Sequence, residues 1–334
     1  MELTFEPYEL QLKHRFTIAR FSRTFTPLML VKITHEGVTG IGEASMVPYM
    51  GESLETATAF LNQVNADKLD NGFQYAEVMA YLDSLAPGQP AIKAAIDIAL
   101  HDLQGKLTGQ PCWKLLGSDR ALMPVTSVTI GMDTPEVIIQ KVRDAAGAKV
   151  IKVKLGGDDD RILIDTVRSV TDVPLFVDAN QGWTDRDRSL ELVHWLHEQG
   201  VQLIEQPFAK TDIDSNAWLT ERSPIPILAD EAVQRLADIA RVAGAYHGIN
   251  IKLMKSAGMY EAHEMIKAAR QHQMKILIGC MSETSCATLA AAALAPQCDW
   301  ADLDGPLLTS NNPFEAPPFV DGKWVLTDKP GLGL

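Results

Sequence analysis

From residue 124 onward the chain repeats one pattern: a short apolar run almost free of polar alternation, then a stretch of helical period. The runs predict strands at 124–130, 150–155, 174–178, 201–205, 226–230, 248–252, 275–280 and 300–302. From the second run on, polar or distinctive residues near the strand ends follow one another at 22 to 28 residues, the length of one βα unit. Strands without alternation are covered on both faces, so eight of them with helical spacers predict an α/β fold with a parallel sheet closed as a barrel. An open, doubly wound sheet is the architectural alternative. No Gly-x-Gly-x-x-Gly or Walker loop follows any strand, and polar residues end many strands rather than lining one crevice, which favours the barrel.

The first 118 or so residues have another rhythm. Two extended runs, 3–19 and 28–44, are joined across 20–27, and the second holds a turn signal at His35-Glu36-Gly37. They predict a small antiparallel sheet. The clearest helix covers 90–107, with Pro90 in its first turn, a stripe of Ile92, Ala95, Ile96, Ala99, Leu100 and Leu103, and Gly109 and Pro111 as stops. The chain therefore divides into an α+β domain at 1–118 and a barrel at 119–310. Residues 311–334 are expected to complete the first domain, their Gly- and Pro-rich end, 319–334, packing on the N-terminal sheet.

Composition narrows the function classes. The chain has 334 residues, 46% of them apolar, enough for one large core. A net charge of −13 without any basic block opposes DNA, RNA and anionic membranes, so neither nucleic acid nor membrane is an expected partner. The longest apolar stretch, around 290–295, falls far short of the roughly 20 residues of a membrane span and reads as a buried helix. Met1-Glu-Leu-Thr-Phe lacks the basic start and apolar core of a secretory signal, which makes the cytoplasm the expected compartment. Cys112, Cys280, Cys286 and Cys298 show no CxxC spacing, as reduced thiols of a cytosolic core would. A homo-oligomer stays open.

Barrel enzymes carry their chemistry at the C-terminal strand ends. Those positions are Lys152 and Lys154, then Asp178, Glu205, Asp230 and Lys252, and finally Asp302 and Asp304. Each acid alone could cap a βα loop. Three successive strands ending in Asp, Glu and Asp instead aim three carboxylates at one point above the barrel axis, where they repel unless a cation joins them. Hard oxygen ligands with room for water match Mg²⁺, with Mn²⁺ as a substitute; zinc would prefer His or Cys.

Lys152 and Lys154 share one face of their strand, and inward is the expected side. A neighbouring like charge and partial desolvation would lower a lysine pKa and fit one of the pair to act as a base. Lys252 lies four strands further on, roughly opposite in an eight-stranded ring. One amine thus stands on each face of a ligand held between them. This suits removal of a proton next to a carboxylate, with metal and ammonium groups holding the enediolate and the second amine returning a proton.

As a set, Lys152-Val-Lys154, Asp178-Ala-Asn180-Gln-Gly-Trp183, Glu205-Gln-Pro207, Ala229-Asp230-Glu231 and Asn250-Ile-Lys252-Leu-Met-Lys255 resemble the enolase superfamily, in particular its muconate-lactonising subgroup. The resemblance runs along nearly the whole chain. It implies an N-terminal α+β capping domain over a (β/α)7β barrel, Lys154 and Lys252 as acid/base catalysts, Lys152 as their electrostatic partner, and Asp178, Glu205 and Asp230 as ligands of one Mg²⁺. Asp302-Leu-Asp304 is similar to the Asp-x-Asp with which dipeptide epimerases bind the free α-ammonium of their substrate. The implied activity is inversion of the C-terminal residue of a dipeptide such as L-Ala-D/L-Glu, and the implied setting is salvage of cell-wall peptides. Sibling reactions on the same frame, o-succinylbenzoate synthesis, N-acylamino acid racemisation and muconate cycloisomerisation, are the alternatives. The segment Ile278-Gly-Cys280-Met-Ser282-Glu283 resembles the family's seventh strand end, making Cys280, Ser282 and Glu283 candidates for substrate contact. Family members acting on Ala-Glu carry an Arg in the 20–26 loop. Here Phe21 falls at that place, flanked by Arg20 and Arg23, and with Tyr49 of the next loop these complete the substrate-binding candidates.

Overall fold

A computed structural model describes residues 1–18, 21–47, 50–316 and 318–334. Three antiparallel strands open the chain: β1 (Glu2–Ile18), β2 (Phe21–His35) and β3 (Val38–Ser45), in that order across the sheet. Glu36 and Gly37 both take positive φ, 50° and 77°, which sets the tight turn between β2 and β3. Residues 21–27, expected as a link, are strand: Phe16 pairs with Arg23 and Ile18 with Phe21, after a register shift between Gln11 and Phe16. Phe21, Arg23 and Phe25 alternate with Ser22, Thr24 and Thr26, and that period of two fits a strand.

Helices α1 (Leu54–Leu61), α2 (Tyr75–Leu85), α3 (Pro90–Thr108) and α4 (Cys112–Leu115) complete the N-terminal part. The stripe anticipated on α3 is wider than one face, since Ala94 and Ile98 are also fully buried. One side of α3 lies on β3 and the other meets the barrel, so it has no broad solvent face. Gly42 shows how close the sheet comes: a Cβ there would stand 1.8 Å from the Ala95 carbonyl oxygen.

The second part is an eight-stranded parallel sheet in sequence order: β4 (Val128–Ile130), β5 (Ile151–Lys154), β6 (Leu175–Asp178), β7 (Val201–Glu205), β8 (Ile227–Ala229), β9 (Gly248–Lys252), β10 (Lys275–Gly279) and β11 (Trp300–Asp302). A bridge between Thr126 and Ala301 brings its two edges together. Around it run α5 (Pro135–Asp144), α6 (Asp160–Arg168), α7 (Arg186–Glu198), α8 (Ile213–Arg222), α9 (Ile239–Val242), α10 (Leu253–Ser256), α11 (Met259–Gln271), α12 (Ser285–Ala292) and α13 (Gly305–Leu308). Every residue of α12 is buried, and among the described residues no helix is long and apolar enough to cross a membrane. All four cysteines are free thiols.

The tail departs from expectation. Its hairpin, β12 (Phe319–Val320) and β13 (Lys323–Trp324), closes the barrel instead of joining the N-terminal sheet. There Trp324 Nε1 donates to the Leu303 carbonyl at 2.7 Å and Thr126 N to the Gly322 carbonyl at 2.8 Å. Its end lies on α3 and α4, where Leu332 N donates to Asp102 Oδ1 at 2.9 Å and Cys112 N to Gly331 O at 2.7 Å. The segment that does reach the sheet precedes it, with Thr309 bridged to Leu12. Asp102 also accepts from Ile41 N, so one buried carboxylate joins tail, helix and sheet.

Candidate active site

The barrel interior is built in layers two residues apart. Val150, Phe176, Leu203, Leu228 and Leu277 pack as a separate apolar cluster. Two residues further along four of those strands stand Lys152, Asp178, Glu205 and Asp230, turned to the same side by the strand period. Register aligns the polar layer: Lys154 pairs with Asp178, Asp178 with Glu205, and Gly279 with both Lys252 and Asp302. Asp230 lies one residue past β8, and the other charged groups named here end their strands or lie inside them.

Asp178, Glu205 and Asp230 each offer a carboxylate oxygen, and these oxygens lie within 4.8 Å of one another. All three residues are buried, at 0%, 0% and 3% exposure. Such a set costs too much without cations, and the structure supplies them from four lysines. Lys152 Nζ lies 2.6 Å from Glu205 Oε1, 2.7 Å from Asp302 Oδ2 and 3.4 Å from Asp178 Oδ2. Lys154 Nζ donates to Asp178 Oδ2 at 2.6 Å and Lys252 Nζ to Asp230 Oδ2 at 2.7 Å. Lys255 holds the other oxygen of Asp230, Oδ1, at 2.6 Å.

The charges follow from these neighbours. Burial pushes Asp178 up, but Lys154 and Lys152 outweigh it and hold its carboxyl below the usual range. Burial pushes Asp230 up as well, but Lys252 and Lys255 outweigh it and hold its carboxyl well below the usual range. Glu205 is pushed up to about 7 because burial, with Asp178 and Asp230 alongside, exceeds what Lys152 returns. At Lys152 burial alone would lower the pKa, but Asp302, Glu205, Asp178 and Asp230 together raise it well above the ordinary lysine value, which keeps this side chain an ammonium.

Asp302 and Asp304 are both buried but differ in state. Asp302 accepts from Lys152 and, at 2.6 Å, from Ser127 Oγ, and Lys152 overcomes burial to keep it low. Asp304 accepts from Thr129 N at 2.7 Å, has the Cys280 thiol 3.8 Å away, and is pushed up to about 6 by burial and then by Asp302. The two therefore do not form a symmetric cation clamp: Asp302 already has its ammonium, and Asp304 is the carboxylate whose charge an incoming cation would favour.

The other candidates sit around this centre. Arg23 Nη2 donates to Ser282 Oγ at 2.7 Å, bringing the first hairpin onto the loop after β10. Glu283 is buried beside Met281 N, which it accepts at 2.8 Å, and burial with the neighbouring Glu43 raises it to about 8. Glu43, on β3, accepts from Thr284 N and from the Thr284 hydroxyl, so the N-terminal sheet grips the start of α12. Cys280 is buried, its thiol pushed well up by burial and by Asp304. Arg20 and Tyr49 lie outside the described residues, as does the Phe21 side chain.

Several residues of the site carried no role in the sequence reading. Asn250 Nδ2 donates to Glu205 Oε2 at 2.7 Å, while Gln206 Oε1 accepts from Asp230 N and Ala232 N, both at 3.0 Å. Asn180, Gln181 and Gln206 adopt positive φ, at 44°, 64° and 36°, in loops beside the carboxylates. Ser127, one residue before β4, and Thr129, within it, had a visible signal, since Ser127-Val-Thr129 has the same period of two as the lysine pair.

Comparison with known proteins agrees with this geometry. Residues 3–117 match the family described as mandelate racemase / muconate lactonizing enzyme, N-terminal domain, and residues 137–334 match enolase C-terminal domain-like proteins. The chain is 51% identical to the L-Ala-D/L-Glu epimerase of Bacteroides thetaiotaomicron over 335 aligned residues, 100% of this chain and 88% of that protein. Its fold superposes on a substrate-liganded L-Ala-D/L-Glu epimerase from Bacillus subtilis with a TM-score of 0.93 at 26% identity, covering 100% of this chain and 98% of the other. It superposes equally fully on a dipeptide epimerase from Enterococcus faecalis complexed with Mg and L-Leu-L-Tyr, with a TM-score of 0.90, 30% identity, and 99% and 98% coverage. A capped eight-stranded barrel, a buried Asp-Glu-Asp cluster flanked by lysines, and both family matches lead to one assignment: the chain belongs to the enolase superfamily, among its mandelate racemase and muconate lactonizing enzymes.

Proposed function

We propose that the protein is a Mg²⁺-dependent dipeptide epimerase that inverts the Cα of the C-terminal residue of a small dipeptide, L-Ala-D/L-Glu being the leading substrate. The observation that carries this reading is the placement of Lys154 and Lys252 on β5 and β9, across the barrel from each other, with the three carboxylates between them. The donor set fits Mg²⁺: three hard, buried oxygen ligands on separate strands. Asp178, Glu205 and Asp230 would hold the ion, which when bound supplies positive charge to the substrate carboxylate and so acidifies the neighbouring Cα–H.

The chain's own residues do the rest. One of Lys154 and Lys252 takes the Cα proton as a neutral amine, and the other, as an ammonium, returns one to the opposite face; the roles exchange with the configuration bound. Lys152 stays charged and offsets the acids. Asp304 receives the substrate's α-ammonium, with Thr129 N fixing its carboxylate. Arg23, whose Nη2 donates to Ser282 Oγ, would meet the side chain of the second residue.

The test is incubation with Mg²⁺ in deuterium oxide against L-Ala-L-Xaa and L-Xaa-L-Glu dipeptides, reading mass gain at Cα. Exchange confined to dipeptides is the expected result. Turnover only of N-acylamino acids or cycloisomerase substrates would replace the reading with a sibling reaction. Asp304→Asn is expected to cost dipeptides about 10- to 100-fold in kcat/KM, the value of one hydrogen bond to a charged group. Unchanged dipeptide kinetics in that variant would remove Asp304 from ammonium binding.

A further inference from the structure

A fourth buried lysine lies outside the two-base scheme. Lys255, on α10 and 3% exposed, surrounds its three N–H donors with four oxygens. These are Asp230 Oδ1 at 2.6 Å, Asp230 O at 2.7 Å, Asn250 O at 2.9 Å and Val233 O at 3.0 Å. Three of the four are backbone carbonyls, so the ammonium ties the end of β8 and the loop after it to β9. It reaches β9 two residues before Lys252, at Asn250, whose side chain holds Glu205. On Asp230 it occupies Oδ1, while Lys252 is on Oδ2.

From this geometry we infer that Lys255 is a positioning residue for one half of the reaction: it fixes Asp230 and the Lys252 end of β9 relative to each other and does not touch the Lys154 side. The inference rests on the two-lysine reading above. The Lys154 amine is anchored on Asp178, whose partners are Lys152, Lys154 and Asn180 N, and none of these contacts includes Lys255. With Mg²⁺ saturating in wild type and variant alike, loss of Lys255 therefore acts on the face that Lys252 serves. A merely structural role would slow both faces alike.

The experiment follows Cα exchange of both epimers of L-Ala-Glu in deuterium oxide at saturating Mg²⁺. Lys252→Ala identifies the epimer whose proton Lys252 removes. Lys255→Met is expected to slow exchange of that same epimer on the order of 100-fold, the usual cost of a misplaced catalytic group, while the epimer deprotonated by Lys154 continues to exchange. Equal slowing of both epimers, or slowing of neither, overturns the inference. Thermal melts give a second readout. Metal-free Lys255→Met is expected to melt below wild type and to gain more from added Mg²⁺, because Asp230 is left a cation short. A metal-free melt equal to wild type with an equal Mg²⁺ response also overturns it. Lys255→Gln, which keeps two N–H donors without the charge, carries the same comparison if the Met variant fails to fold. Wild-type protein that exchanges no dipeptide refutes the epimerase reading itself, whereas wild-type exchange with symmetric Lys255→Met kinetics refutes only this inference.

Discussion

Alanine at Lys154 or at Lys252 is expected to lower epimerisation by about 10³- to 10⁴-fold, the upper range for one positioned acid or base. Each variant should nevertheless keep half of the chemistry. With Lys252 removed, Lys154 can still take a proton from the epimer it faces and return a deuteron to the same face, so that epimer gains mass without inverting. The opposite epimer should gain none. Lys154→Ala should show the mirror pattern. This follows from the placement of β5 and β9 on opposite sides of the ring and from the separate anchors, Asp178 Oδ2 for Lys154 and Asp230 Oδ2 for Lys252. Proton–deuteron exchange of each epimer, followed by NMR beside the epimerisation rate, checks it. Near wild-type inversion in either variant, or symmetric exchange in both, would defeat the two-base scheme. Each substitution also leaves a buried aspartate with one cation fewer, so a thermal melt accompanies the kinetics.

How much of this was readable follows from where each side chain points. Lys152, Asp178, Glu205, Asp230, Lys252 and Asp302 sit at or near strand termini, each breaking an apolar run, and a polar residue that interrupts a buried strand must face a partner. The barrel and its layer of buried charges were legible for that reason. Asn250, Gln206 and Lys255 were not, because their partners are carboxylates, backbone amides and carbonyls on other strands or the loops after them, brought near only by the closed sheet. The Asp302–Asp304 pair was legible as a pair but not as an unequal one. Its inequality comes from Lys152, 150 residues away in sequence and 2.7 Å away in space. Residues 21–27 read as a link because Arg, Ser, Thr and Pro dominate there, yet pairing with β1 turned the same alternation into strand. The tail has no periodicity to read, and its path is set by contacts such as Leu332 with Asp102.

Removing the metal should abolish activity and leave the fold. Dialysis against a chelator is expected to lower dipeptide turnover by about 10³-fold or more, since positive charge at the substrate carboxylate is worth several kcal/mol in the transition state. Added Mg²⁺ or Mn²⁺ should restore it. The fold should survive because the acids do not depend on the ion alone: Lys152, Lys154, Lys252 and Lys255 each contact one or more of Asp178, Glu205, Asp230 and Asp302. Circular dichroism before and after dialysis checks that half. Glu205 then sets a pH dependence. A ligand must be ionised to bind, and burial places this carboxyl at about 7, so protons compete with the metal below that value. The apparent Mg²⁺ affinity should therefore be constant above pH 7 and weaken by about tenfold per unit below it, with close to one proton released per ion bound in acid. Calorimetric titration in buffers of different ionisation enthalpy measures both. In Glu205→Gln the proton release near pH 6 should disappear and Mg²⁺ affinity should fall at every pH. An affinity in wild type that does not change between pH 5 and 7 would show that no ligand titrates near 7, and an unchanged affinity in Glu205→Gln that Glu205 is not a ligand.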